Sequence, residues 1–247
     1  MAGHSKWKQI KHKKAVTDQR RGAHFTKLIK EITVAARQGG GDPAGNARLR
    51  FAIETARAAN MPAENIERAV KKGTGDLEGV RYEEVTYEGY GPGGAAIFIE
   101  VTTDNANRSV ADIRHLFARH GGNLGTSGSV AWMFDQRGQI YLAATRSDED
   151  AAMEAALEAG ALDMTREGDQ FVITTNVSDF HAVQEGLRRK KIGWESAEIV
   201  MVPKSTVKVE GGDAGRLVKL MEALEEHDDV SKVSSNFDVD LEALAEV

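Results

Sequence analysis

The chain has 247 residues, of which 41% are hydrophobic and 28% are charged, and it contains no cysteine. This composition excludes disulfides, thiolate metal sites and a cysteine nucleophile, and it favours a cytoplasmic protein. No run of about 18 apolar residues occurs, so a membrane-spanning helix is not expected. The lysines near the start lead into no apolar stretch, which argues against a signal peptide.

The net charge of −6 is the sum of two unlike parts. Residues 1–72 hold 16 Lys and Arg against 6 Asp and Glu, whereas the other 175 residues hold 16 basic and 32 acidic side chains. Such asymmetry predicts a nucleic acid or another anionic partner for the basic part. The alternative is a basic, solvated helical surface that has no partner.

Residues 1–22 are basic and poor in apolar side chains, and they predict a mobile arm or a helix that needs a partner. The segment from Gly3 to Lys8 places an indole among cations. Cations neutralise phosphates, and an indole stacks on an unpaired base. The predicted nucleic-acid contacts here are Lys6, Trp7, Lys8, Lys11, Lys13, Lys14, Arg20 and Arg21. A disordered basic tail without a defined target is the alternative.

Three amphipathic helices are predicted next, and together they form a small bundle. The first carries apolar residues at i, i+3, i+4 and i+7 from Phe25 and ends at the glycines 39–41. The second begins at Asp42-Pro43 with Asp42 as its N-cap, and the third runs from Pro62 to Gly73. The cations outside these stripes are expected to form a charged face: Lys27, Lys30, Arg37, Arg48, Arg50, Arg57, Arg68, Lys71 and Lys72. Among them Lys27, Arg48, Arg50 and Lys72 are predicted nucleic-acid contacts.

From about residue 80 the hydrophobic period changes to that of strands and helices in alternation. Strands are predicted near 85–87, 95–99 and 130–134, with a helix between the last two. Residues 139–203 predict a βαββαβ unit of the ferredoxin-like type. A strand at 206–209, a helix at 215–227 and a strand at 230–239 are expected to complete the sheet begun at residue 80.

The predicted fold class is therefore α+β: an amino-terminal helical bundle followed by two ferredoxin-like α/β domains, one inserted in the other. The predicted domains are 1–78 with the mobile arm 1–22, the discontinuous domain 79–136 plus 206–247, and the inserted domain 137–205.

Arg108 stands at the start of the helix that follows the second predicted strand. Asp104 or Asn105 is expected to cap that helix. Arg108 then has three options: it stays in solvent, pairs with Asp112, or binds an anion at the helix N-terminus. We include Arg108 among the predicted nucleic-acid contacts.

The glycine-rich turns at 89–94 and 121–128 resemble phosphate cradles only weakly, because neither carries the Gly-Lys-Ser/Thr of a P-loop. We interpret them as structural turns. Within the second turn, Asn123, Ser127 and Ser129 are candidate donors to a backbone phosphate.

No pattern predicts catalysis. The seven histidines form no HExxH motif, no serine lies in a nucleophile elbow, and no clustered ligands predict a metal site. The acidic residues at 148–158 and 222–229 fit solvated helix faces. We expect no enzyme activity, no metal, no cofactor and no small-molecule substrate. A small-ligand sensor stays open as a separate hypothesis, since βαββαβ units often bind metabolites at their interfaces.

Several long motifs, taken together and in order, resemble the YebC family, which includes the mitochondrial translational activator of cytochrome c oxidase. They are Gly3 to Trp7, Gly40 to Pro43, Asn46 to Arg50, Tyr87 to Gly94, Asp104 to Arg108 and Gly121 to Gly125. The resemblance covers nearly the whole chain. It implies three domains, one helical and two α/β, and the position of the first motif suggests a bacterial cytoplasmic member.

The resemblance implies a non-enzymatic, nucleic-acid-binding regulator of gene expression. By the family's label this is a DNA-binding transcriptional regulator. The alternative is a ribosome- or RNA-binding translation factor that helps the translation of difficult, proline-rich sequences, since family members are also linked to translation. The expected partner is DNA, or ribosomal RNA within the ribosome, and no membrane.

Overall fold

The protein's structure, a computed structural model, describes residues 18–239, with side chains from residue 22 onward. The helices are α1 (Asp18–Gly39), α2 (Ala47–Ala58), α3 (Ala63–Thr74), α4 (Ala106–Arg119), α5 (Glu149–Glu158), α6 (Phe180–Arg189) and α7 (Gly211–Glu226). The strands are β1 (Glu83–Tyr90), β2 (Ala96–Thr103), β3 (Asn123–Leu124), β4 (Phe134–Ala143), β5 (Asp163–Glu167), β6 (Gln170–Thr175), β7 (Ser196–Pro203), β8 (Val207–Lys208), β9 (Val230–Ser235) and β10 (Phe237–Asp238). The fold class is α+β, with a three-helix region followed by two four-stranded antiparallel sheets and their helices.

The three amino-terminal helices pack around one apolar core, as the stripes predict. Its largest buried members are Leu28, Ile32, Leu49, Ile53 and Ile66. Helices α1 and α3 approach closely at Gly73, where an added Cβ would lie 2.4 Å from the carbonyl oxygen of Thr33. Helix α1 ends as predicted, because Gly40 adopts a left-handed φ of 85° that a side chain would disfavour.

The start of α2 differs from the prediction. Asn46, not Asp42, is the N-cap, and its Oδ1 accepts from the Leu49 amide at 3.0 Å. The same side chain donates from Nδ2 to the carbonyls of Ala35, at 2.8 Å, and Gly40, at 2.9 Å. One buried amide thus satisfies the end of α1 and the start of α2, whereas Asp42 only closes a local turn onto the Ala44 amide.

The first four-stranded sheet has the order β3-β1-β2-β9, with every pair antiparallel. Helices α4 and α7 cover one face, where alternate residues of β2 such as Ile97 and Ile99 join Phe117, Leu220 and Leu224 in the core. The other face of β2 presents Ala96 and Phe98, which pack with Val130 and Phe134. Both faces of β2 are buried, as its continuous apolar run implies.

The second sheet has the order β5-β6-β4-β7, also antiparallel, and the chain passes through it as β4-α5-β5-β6-α6-β7. The prediction of a strand at 130–134 that is separate from the first strand of the βαββαβ unit is wrong. Residues 131–133 form a 3₁₀ turn, and β4 is one strand of ten residues from Phe134. The polar residues 135–137 continue the strand because β7 pairs with β4 from Phe134 to Tyr141.

The last predicted strands also divide differently. Strand β9 joins the first sheet beside β2, but β8 pairs only with β10, in a two-stranded parallel sheet. Asn236 separates β9 from β10 and accepts the Ala96 amide on its Oδ1 at 2.7 Å, so the side chain continues the contact with β2 where the ladder ends. The three domain boundaries stay a prediction, and the pairing of β9 with β2 supports a discontinuous middle domain.

Candidate nucleic-acid interface

Most of the predicted arm lies outside the part of the chain that the structure describes. This applies to Lys6, Trp7, Lys8, Lys11, Lys13 and Lys14. Arg20 and Arg21 lie in the first turn of α1, where the backbone alone is described. Their contacts with nucleic acid stay predictions.

The helical region presents several cations on its outer surface, opposite the shared core. Arg37, Arg50, Arg57 and Lys71 are exposed. Arg50 donates to the carbonyl of Pro43 at 3.1 Å and keeps the rest of its guanidinium accessible. Lys72 is half-buried because its aliphatic stem lies against Gly79. Two predicted contacts, Arg50 and Lys72, are therefore placed on this outer surface.

Arg48, a third predicted contact, is engaged within the chain. Its guanidinium binds both carboxylate oxygens of Glu84 and of Glu31 and also contacts Gln38. The hydrogen bond to Glu84 is the main cause that raises the pKa of Arg48, and the same bond lowers the pKa of Glu84. Arg48 connects α2 to α1 and to β1, so its charge is already neutralised by two carboxylates.

Two lysines of α1 point towards the first sheet, which corrects the expectation that both belong to an outward charged face. Lys27 donates to the carbonyl of Glu225 in α7. Lys30 is 7% exposed, and its Nζ lies 2.6 Å from Oδ1 of Asp229 and 3.0 Å from the carbonyl of Asp228. The stripe pattern could not show this, because the partner of Lys30 comes from a loop 199 positions later in the chain.

Asp229 is the centre of this buried polar cluster. Its Oδ2 accepts from Ser109 at 2.7 Å, from Arg108 at 2.8 Å and from Thr103 at 3.1 Å. Burial opposes the charged form, but the hydrogen bonds from Arg108, Lys30 and Ser109 outweigh it and hold the pKa of Asp229 well below its usual range. The prediction that the acidic run 222–229 is a solvated helix face is wrong at this residue.

The expected pair of Arg108 with Asp112 is wrong, and its contact with nucleic acid stays a prediction. Asn105 caps α4, accepting from the Arg108 amide at 3.1 Å. The Arg108 guanidinium pairs with Asp104 at 2.7 Å and with Asp229, not with Asp112, and the Asp229 bond raises its pKa. It borders a cleft of about 590 Å³ that contains five carboxylates against two cations. That balance disfavours a phosphate at Arg108.

The end of the glycine-rich turn at 121–128 and the residues that follow it hold an anion supplied by the protein itself. The amides of Gly128, Val130 and Ala131 donate to the carboxylate of buried Glu88 at 2.7, 2.6 and 2.7 Å. Burial opposes the charge, yet these three amides together lower the pKa of Glu88. The interpretation as a structural turn thus has a physical basis. Ser129 cannot donate to an external phosphate, because its Oγ is buried.

A second basic cluster, which the sequence analysis did not single out, lies where α6 ends. Arg188, Arg189, Lys190 and Lys191 are consecutive and exposed, and they precede Trp194. The guanidinium of Arg188 lies over the indole of Trp194, 5.6 Å from the ring centroid. Four cations followed by an aromatic residue were the available signal, and the net negative charge of residues 73–247 masked it.

Among the described residues, no group of three or more histidine and carboxylate side chains is arranged to hold a metal ion. Within the same part of the chain, no helix is both long and apolar enough to cross a bilayer.

Family comparisons divide the chain at the end of α3. Residues 5–76 match the TACO1/YebC protein N-terminal domain, and residues 82–237 match the TACO1/YebC second and third domain. The chain belongs to the TACO1/YebC family. The gap between the two matches lies between Thr74, where α3 ends, and Glu83, where β1 begins.

TACO1/YebC relatives match along the full length. A probable transcriptional regulatory protein of Gemmatimonas aurantiaca is 58% identical, with 100% of both chains covered. One of Desulforapulum autotrophicum is 56% identical over 97% of each chain. A crystal structure of a conserved hypothetical protein from Aquifex aeolicus is 47% identical and superposes with a TM-score of 0.86, over 92% of this chain and 94% of that one. The two bacterial relatives thus carry the name of probable transcriptional regulatory proteins, and the Aquifex aeolicus protein shares this fold.

Proposed function

We propose that this protein is a non-enzymatic, nucleic-acid-binding regulator of gene expression that acts in the cytoplasm, and that DNA is its first candidate target. The observation that carries the proposal is the charge of the helical region. Arg37, Arg50, Arg57 and Lys71 are exposed on it, and a basic arm precedes it in the chain. Phosphate backbones bind such surfaces and release counterions, without a need for base readout. The names of the relatives support transcription as the process.

The acidic remainder of the chain supports contact through one end of the molecule. Residues 73–247 hold twice as many acidic as basic side chains, and a long duplex lying along them would be repelled. The buried contact of Lys30 with Asp229 joins the basic helical region to this acidic part.

A ribosome- or RNA-binding translation factor is the second candidate. Trp7 among the lysines of the arm supports it, because an indole stacks on unpaired bases that structured RNA offers and an intact duplex does not.

For the two sheet units we propose a more specific fold than the α+β class. We infer that both are ferredoxin-like, one inserted in the other. The unit from β4 to β7 supports this by its connection and its strand order. In the first sheet, β3, β1, β2 and β9 lie in the positions that β5, β6, β4 and β7 occupy in the second. The chain order differs, because β1 comes first in its unit whereas its counterpart β6 comes third.

The proposed function is tested by duplex binding of the full chain as a function of salt. Replacing Arg50 and Arg57 by Gln is expected to reduce the slope of log affinity against log salt by about 1.8, which is about 0.9 for each phosphate that is no longer neutralised. The matched control replaces Arg114 and Arg119 of α4, two exposed arginines outside the helical region, and leaves the slope unchanged. Equal slopes in all three proteins would contradict the role of the helical surface.

Co-sedimentation from a lysate separates the two targets. If the protein travels with ribosomes on a sucrose gradient and DNase changes nothing, translation is its process. If DNase releases it from a heavy DNA fraction, and one duplex sequence is preferred at physiological salt, transcription is its process.

A further inference from the structure

We propose that the end of α6 and the loop to β7 form a second nucleic-acid contact, which binds a single strand. In this arrangement Arg189 and Lys191 bind phosphates, and an unpaired base lies beside Trp194 and Arg188. The inference rests on the proposed function and adds to it a surface distant in sequence from the basic arm.

The surface has a defined shape. Arg188, Lys191, Ile192, Gly193 and Trp194 line a shallow groove of about 370 Å³. Trp194 packs on one side against the core of the second sheet and is half-exposed on the other. The groove is open at Gly193, where nothing beyond its two chain neighbours lies within 4 Å of a hypothetical Cβ.

The charge of the surface is positive after its internal ion pairs are counted. Arg188 pairs with Glu185, and Lys190 pairs with Glu158 at 3.3 Å. Within the described part of the chain, Arg189 and Lys191 have no carboxylate partner and are exposed. Two unneutralised cations therefore lie near the Arg188–Trp194 pair: Lys191 lines the groove, and Arg189 follows Arg188 at the end of α6. Such a pair of charges suits consecutive phosphates of an extended strand.

Lys191 is one of two described residues other than glycine, with Asn60, that adopt a left-handed backbone conformation. Lys191 adopts φ 59° at the end of α6, whereas glycine occupies the left-handed position after α1, α3, α4 and α5, at Gly40, Gly75, Gly121 and Gly160. Ile192 donates to the carbonyl of Leu187 at 2.9 Å, the bond that closes a helix with such a residue. A Cβ is disfavoured in this conformation, so glycine would fit this position better than lysine.

The chemistry favours a single strand over a duplex and over an acidic peptide. Indole and guanidinium planes both stack on unpaired bases, whereas the bases of a duplex are already stacked on each other. An acidic peptide would bind the cations but would gain little from the guanidinium and indole planes beside them.

The test uses the full chain and fluorescein-labelled probes: oligo-uridine and oligo-thymidine of about 20 nucleotides, a duplex of equal length, and an oligo-glutamate peptide. Replacing Arg189 and Lys191 by Gln is expected to weaken binding of both single strands about tenfold and to reduce the salt slope by about 1.4, at about 0.7 per phosphate. The control pair Arg114→Gln and Arg119→Gln, with the same change of net charge, stays within about twofold. Trp194→Leu is expected to weaken single strands about fivefold or more.

Lys191→Gly separates a binding role from a structural one. It is expected to raise the melting temperature, because it relieves the left-handed position, and at the same time to weaken binding of the single strands.

Single-strand affinities and salt slopes that match the wild type in every variant would overturn the proposal while the proposed function stands. A wild-type protein that binds none of the nucleic-acid probes would overturn both. Loss of oligo-glutamate binding equal to that of the single strands would show a peptide surface and also overturn it. Weaker binding of oligo-uridine alone would support the site with RNA as its ligand. Equally weakened binding of oligo-uridine and oligo-thymidine would support it as a site for single strands of either RNA or DNA.

Discussion

Lys30 and Asp229 form a buried ion pair of 2.6 Å between the first helix and the loop before β9. Asp229 also receives hydrogen bonds from Arg108, Ser109 and Thr103, so its carboxylate is fully engaged. A charge in such a place is stabilised only by its own partners, because burial opposes it. Asp229 is therefore one of the groups that join the basic helical region to the first sheet, beside the contact of Arg48 with Glu84.

Lys30→Met is expected to reduce the free energy of unfolding by about 3–5 kcal/mol, because it leaves Asp229 buried with one of its two cations missing. Urea denaturation of the full chain measures this. The control is Arg68→Gln, which breaks the exposed pair with Glu64 and is expected to change stability by at most about 1 kcal/mol. Equal losses in the two variants would show that the burial of the pair is unimportant.

The lowered pKa of Asp229 predicts a defined acid sensitivity. Its folded pKa lies below the unfolded value of 3.8, so its contribution is complete above that value and is lost as the pH falls towards the folded pKa. Unfolding free energies of the wild type and Asp229→Asn are expected to differ most above about pH 5 and to draw together progressively below about pH 4. A constant difference across this range would contradict the linkage.

Glu88→Gln is expected to destabilise the turn at 125–131 by about 1–3 kcal/mol, because an amide offers one acceptor oxygen where three backbone donors converge on two. Hydrogen exchange of the Gly128, Val130 and Ala131 amides should accelerate. Glu83→Gln, an exposed change on the same strand, serves as the control. Unchanged protection of all three amides in the Glu88 variant would refute the anchoring role.

Gly73→Ala tests the close contact of α1 with α3. The new methyl group would lie 2.4 Å from the Thr33 carbonyl oxygen, and the expected loss of stability is about 1–3 kcal/mol. Gly22→Ala is the matched control, since no other atom lies within 4 Å there and alanine favours the helix by up to about 1 kcal/mol. Thermal melts should shift in opposite directions. A neutral Gly73 variant would mean that the helices separate easily.

The spacing of apolar residues and the positions of glycines predicted the helices and most strands, because both depend on residues close together in the chain. The stripe from Phe25 indicated α1, and the glycine at position 40 indicated its end, since φ and side-chain period depend on near neighbours. The same reasoning failed for the N-cap of α2. Asn46 takes that position instead of Asp42 because its amide also reaches the carbonyls of Ala35 and Gly40, and that requires the packed turn.

The sequence by itself determined the family, the α+β class and the concentration of positive charge in the first 72 residues, because these follow from residue order alone. Only the tertiary structure decided which cations remain for a partner. Arg48, Lys30 and Arg108 find carboxylates that lie 36, 199 and 121 positions away, whereas Arg50 and Arg189 face solvent. Charge is a property of the chain, but its neutralisation depends on which distant residues the fold brings within hydrogen-bonding distance.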